Sequence, residues 1–168
     1  MKEYLLLVFE FFKIKGLKGA LWNCGIPVII TYLIFEKSNF CIYKDNAPSF
    51  HSNLITMLCV LIGFTISTLT ILLTVNNPNI ELAKTSLTDK ILYSKPVTVF
   101  ESIIIGLAYI ILIQCLLLIA NLIYPIFVSI ITVKGKAFFA VNISIMIHII
   151  LILLRNILDF YFIVTRKK

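Results

Sequence analysis

Residues 102–133 read SIIIGLAYIILIQCLLLIANLIYPIFVSIITV, and no Asp, Glu, Lys or Arg interrupts them. A bilayer core of about 30 Å is crossed by roughly 20 apolar residues of helix. The stretch is therefore a membrane span, expected over Ser102–Tyr124 and stopped at Pro125. It is too long for one span and too short for two, so its tail up to Val133 reads as a protruding or re-entrant extension. A second charge-free stretch, Leu54–Leu73, predicts a span over Leu54–Thr74 ending at Asn76–Asn77–Pro78. A third apolar run follows the turn Lys134–Gly135–Lys136. It predicts a span from Ala137 to Leu154 that continues as helix to Val164.

The composition agrees. Of 168 residues, 60% are hydrophobic and 14% charged, and mean hydropathy is +1.03. Soluble domains carry about 25% charge because their surfaces face water. The net charge of +7 comes from 15 basic against 8 acidic residues. The cations lie at the edges of the apolar runs, where they match anionic headgroups rather than nucleic acid. Four cysteines without paired spacing, three of them inside apolar runs, predict neither a disulfide framework nor a zinc site.

Upstream of these spans the signals are weaker. In MKEYLLLVFEFFKIK, Lys2, Glu3, Glu10 and Lys13 gather on about a third of a helical wheel. The pattern predicts an interfacial amphipathic helix over about residues 2–15, with Lys13, Lys15 and Lys18 facing headgroups. Gly16 and Gly19 mark a bend. A short span over 19–35 follows, kinked at Pro27, whose freed carbonyl needs a neighbouring donor. Glu36–Asn53 reads as a polar loop. Val75–Glu101 is the longest loop, with a short amphipathic helix at Ile80–Leu87. The expected fold is an all-α membrane protein, a four-helix transmembrane bundle with an N-terminal interfacial amphipathic helix, in a single domain of residues 1–168.

With four spans, Lys2, Lys13, Lys15, Lys18, Lys84, Lys90, Lys95, Arg155, Arg166, Lys167 and Lys168 lie on one side. Lys37, Lys44, Lys134 and Lys136 lie on the other. Basic residues concentrate on the cytoplasmic face of a membrane, so both termini are expected there, in a bacterial inner membrane.

Polar residues within spans cost free energy unless partnered, and function is sought among them. Span two carries Gly63, Thr65, Ser67, Thr68, Thr70 and Thr74, a set that suits close helix contact or a hydroxyl-lined pore. Thr65, Gln114 and His148 fall at similar depth and are expected, with Ser67 and Thr68, to form one intramembrane polar cluster. His148 is its candidate proton-sensing group. Glu101, Arg155 and Asp159 form a candidate charge cluster at the cytoplasmic interface. No phosphate loop, paired carboxylates or Cys–His set occurs, so no enzyme activity, cofactor or metal is expected.

The size, the four-span plan and the basic ends resemble small four-span membrane components of prokaryotic defence modules. Those of the Kiwa anti-phage system and the accessory membrane proteins of RNA-targeting CRISPR systems are similar in outline. The segment Gly63–Phe64–Thr65–Ile66–Ser67–Thr68–Leu69–Thr70 before Asn76–Pro78 is similar to many small bacterial membrane proteins. The resemblance implies a non-enzymatic homo-oligomer that senses membrane events or alters permeability with a cytosolic protein partner. Two rival readings share the plan: an immunity protein against a pore-forming bacteriocin, and a small channel or transporter subunit.

Overall fold

The computed structural model describes residues 2–37, 40–127 and 132–165. The elements are α1 (Lys2–Lys37), α2 (Phe40–Thr74), α3 (Pro78–Thr85), β1 (Leu87–Leu92), β2 (Lys95–Thr98), α4 (Val99–Phe127) and α5 (Val133–Thr165). Three helical stretches, Asp45–Thr74, Val99–Phe127 and Lys134–Thr165, are long and apolar enough to cross a membrane. The expected four-span bundle is therefore met by three such helices. The stretch expected as span one belongs to a bent pair, Glu3–Gly16 and Leu21–Glu36, whose arms meet at 100°. At the bend Gly16 has φ 68°, a left-handed backbone that only glycine adopts cheaply.

Helices α4 and α5 are antiparallel, and buried residues recur along both in alternating steps of four and three. On α4 these are Ile103, Leu107, Ile110, Gln114, Leu117 and Asn121; on α5 they are Asn142, Met146, Ile149, Leu153 and Asn156. Such spacing keeps one face turned inward along the whole helix. Lipid tails are as apolar as leucine, so close packing and interhelical hydrogen bonds hold these faces together rather than escape from water. Leu54 and Leu58 of α2 and Phe11 of α1 complete this core.

The first arm of α1 docks on the bundle. Phe11 and Ile14 are buried, and the Phe11 ring stacks on Tyr109 at 3.9 Å with the planes parallel. Tyr4, Leu5, Leu6 and Phe9 remain exposed. The arm thus has two apolar faces, one against the bundle and one outward.

Two expected loops are structured. Glu36–Asn53 is helical from Phe40 onward, with Pro48 inside α2. Helix α2 thereby extends beyond its apolar core, where polar residues serve a helix as well as a loop. Val75–Glu101 contains α3 and a two-stranded antiparallel hairpin. Asn77 caps α3 by accepting from the Asn79 N–H at 2.8 Å, and Pro78 opens the helix. The hairpin turns at Tyr93 (φ 48°) and Ser94 (φ 64°), where glycine or asparagine is usual. The Tyr93 hydroxyl donates to Glu10 Oε1 at 3.0 Å and ties this turn to the first arm of α1. The extension expected after Pro125 falls largely on residues 128–131, and the basic tail on 166–168; both lie outside the described residues.

Candidate functional site

The polar residues of the spans divide by direction. Those of α1, α4 and α5 point inward: Asn23, Thr31, Gln114, Asn121, Asn142, His148 and Asn156 are all buried. They form levels along the α4–α5 seam. Near one end Asn121 donates to Asn142 Oδ1 at 2.7 Å. Seven residues along α4, Gln114 donates to Thr65 Oγ1 of α2 at 3.3 Å. Toward the other end the Asn156 amide lies over Gly106, where an added Cβ would stand 2.8 Å from Nδ2. Gly106 leaves the space that Asn156 occupies. Gly106 and Asn121 are fifteen residues apart, so the levels span about 22 Å of a roughly 30 Å core.

Two of the inward contacts share a cause. A proline within a helix lacks the N–H that would bond to the carbonyl four residues earlier. Pro27 so frees the carbonyl of Asn23, and Pro125 that of Asn121. His148 Nδ1 lies 2.7 Å from the Asn23 oxygen, and His51 Nε2 lies 3.0 Å from the Asn121 oxygen. Both histidines of the chain thus replace a donor that a proline removed. A carbonyl only accepts, so these ring nitrogens carry the hydrogens. In the neutral ring His148 Nε2 is then an acceptor, and the Tyr109 hydroxyl donates to it at 3.0 Å. Sequence reasoning identified the need at Pro27 but not its donor. Of the three prolines inside helices, Pro27, Pro48 and Pro125, two are paired with the two histidines of the chain.

The expected cluster of Thr65, Ser67, Thr68, Gln114 and His148 is distributed differently. Thr65 and Gln114 meet. His148 instead turns to α1 and Tyr109. Ser67 is exposed and Thr68 half-buried, and their hydroxyls donate to Gly63 O and Phe64 O within α2, each at 2.9 Å. Exposed Thr70 and Thr74 donate in the same way to Ile66 O and Thr70 O. A lipid-facing hydroxyl satisfied by its own helix carries little desolvation cost. Within the seam, Gln114 Oε1, Asn121 Oδ1 and both polar side-chain atoms of Asn156 have no hydrogen-bond partner.

Of the expected charge cluster, Arg155 and Asp159 both act electrostatically on Lys15 of the first arm. Burial lowers the Lys15 ammonium to about 8; Arg155 pushes the same way and Asp159 opposes. Glu101 has another task. Its Oε2 accepts from the Thr98 N–H at 2.8 Å, and Thr98 Oγ1 accepts from the Glu101 N–H at 3.1 Å. This reciprocal capping box starts α4, and its T-x-x-E pattern is legible in residues 98–101. Among the described residues, no group of three His, Cys, Asp or Glu gathers as metal ligands, and Lys84–Glu81 is the ion pair present. Comparison with protein-family models, characterised proteins and solved structures finds no match to this chain.

Proposed function

We propose that this chain is a non-enzymatic protein of a bacterial inner membrane, with four spans and cytoplasmic ends. In this reading it self-associates and acts as a sensor or permeability effector for a cytosolic partner of a defence module. The observation that carries the reading is the contrast between α2 and the other helices. α4 and α5 turn their amides inward, whereas α2 turns Gly63, Ser67, Thr70 and Thr74 outward. A Cβ added at Gly63 would meet nothing within 4 Å. These four residues recur in steps of four, three and four along one face, a pattern that admits a second helix at close range. Their hydroxyls already bond to α2, so such a contact leaves no donor unmet.

The count of four is supported by the register of α1 on α5. Asn23 meets His148, and twelve residues on, Phe35 O accepts from Lys136 Nζ at 3.5 Å. The second arm of α1 so runs antiparallel to α5 over most of its apolar length. Cytoplasmic ends follow from the excess of basic residues beside them.

The test is the mass of the purified assembly in lipid nanodiscs, wild type against Gly63→Leu/Ser67→Leu. A defined oligomer that falls to monomer in the variant supports the reading, and a monomeric wild type overturns self-association. Ion flux through wild-type liposomes, absent from the variant, identifies the effector as a permeability device. The same open face of α2 would suit an immunity protein that binds a toxin's inserted helices. Bacteriocin protection without self-association would select that alternative.

A further inference from the structure

On the side of the bundle away from α2, the second arm of α1 touches α5 through a narrow buried stripe of Asn23, Pro27 and Thr31. Beside this stripe lie two recesses of about 410 and 240 Å³, which share Val28, Ser144 and Ile145 and so form one groove. Its inner end reaches Cys24 and His148, and its outer end reaches Tyr32 and Phe35. Ala140 and Ser144, one turn apart on α5, keep the floor low.

The groove has the length of one leaflet. Cys24 and Phe35 are eleven residues apart, roughly 16 Å of helix, against half of a core of about 30 Å. Its sides are apolar, and its rim residues Val28 and Tyr32 are 59% and 64% exposed. At the outer end Lys136 Nζ bonds to the Phe35 carbonyl and lies 5.8 Å from the Phe35 ring centroid. Lys134 is exposed on the same first turn of α5. An apolar trough that opens beside two lysines, with the exposed Glu36 one residue beyond Phe35, suits an amphiphile with a hydrocarbon tail and an anionic head.

We infer that this groove holds one acyl chain of an anionic phospholipid, with the lipid phosphate against Lys136 and Lys134. The inference rests on α1 running through the membrane beside α5, but not on self-association or on a defence role. It gives the proposed sensor a defined lipid contact. A chain seated between α1 and α5 ends next to His148, the residue that closes the Pro27 kink. Loss or exchange of that lipid therefore acts on the helix carrying the N-terminal arm.

The test uses the whole protein in nanodiscs and a phosphatidylglycerol probe with a diazirine near the acyl-chain end. Wild type is expected to cross-link at Val28, Tyr32 or Ser144, and to retain one phosphatidylglycerol per chain in native mass spectrometry. Ser144→Leu fills the floor and should lower cross-linking at least tenfold. Lys136→Gln, at the outer end of the groove, should keep the tail cross-link but lose preference for phosphatidylglycerol over phosphatidylethanolamine. Cross-links spread evenly over all exposed helices would overturn the inference, as would unchanged retention in both variants. Disulfide pairing of two chains through Cys24, with lipid absent, would assign the groove to a second copy and also overturn it. Oligomer mass is recorded on the same samples, so failure here is separable from failure of self-association through α2.

Discussion

Pro27 and Pro125 each free a carbonyl inside a helix, and each carbonyl receives a histidine, yet the two repairs are built to different strengths. At Pro27 the donor is His148, 8% exposed, and its second nitrogen is held by Tyr109, on which Phe11 stacks. At Pro125 the donor is His51, half-buried, with one hydrogen bond to the carbonyl oxygen of Asn121. The first repair joins α1, α4 and α5, while the second joins α2 to α4. A kink inside the bundle is thus fixed by a three-helix network, and a kink near the bundle's end by a single bond. An orphaned carbonyl in an apolar interior is costly because no water replaces the missing donor, so both kinks call for a repair.

The comparison can be broken by mutation. His148→Phe leaves the Asn23 carbonyl and the Tyr109 hydroxyl without partners and should cost about 2 kcal/mol. Reversible unfolding in mixed micelles, followed by the emission of Trp22, measures the loss. Pro27→Leu restores the missing N–H, so His148→Phe/Pro27→Leu should recover much of that cost. If the double variant is as unstable as His148→Phe alone, the repair is not what His148 contributes. His51→Leu should cost less, about 1 kcal/mol, and be rescued by Pro125→Leu in the same assay. Equal losses at the two histidines would show that the two repairs are of equal strength. Tyr109→Phe keeps the Phe11 stack and deletes only the second bond to His148, for an expected loss below about 1 kcal/mol.

A separate expected effect is one of pH, on the arm that leads into the Pro27 kink. The folded protein lowers Lys15 to about 8 from an ordinary 10.5. Between those values the unfolded chain binds more protons, so stability should rise with pH across that window. The difference between wild type and Lys15→Met, followed from pH 8 to 10.5, isolates this contribution. A difference that does not change across the window would show that Lys15 is not held uncharged.

The apolar runs at 54–74, 102–124 and 137–154 predict the three long helices, because lipid demands length and apolarity before anything else. The bend at Gly16 and the short helix near Ile80 were also legible. The start of α2 at Phe40 was not, since Asp45, Asn46 and Pro48 have the composition of a loop and only the folded chain makes them a helix. The hairpin escaped notice because its turn uses Tyr93 and Ser94 rather than an Asn-Gly pair. Within the site, Thr65 and Gln114 share a depth and meet. His148 shares that depth too, but the carbonyl freed by Pro27 lies on α1 and claims it. Depth can be counted along a sequence, whereas the face on which a partner waits depends on how helices rotate.

The bond between His148 and Asn23 joins residues 125 positions apart. Ribosomes add about 5–20 residues each second, so the Asn23 carbonyl is made several seconds before the histidine that bonds to it. Until α5 follows, α1 is a helix with an open seam. A nascent chain that stops short of His148 therefore leaves the carbonyl freed by Pro27 without this donor. The later helix thus completes the earlier one, through a bond that neither helix makes alone.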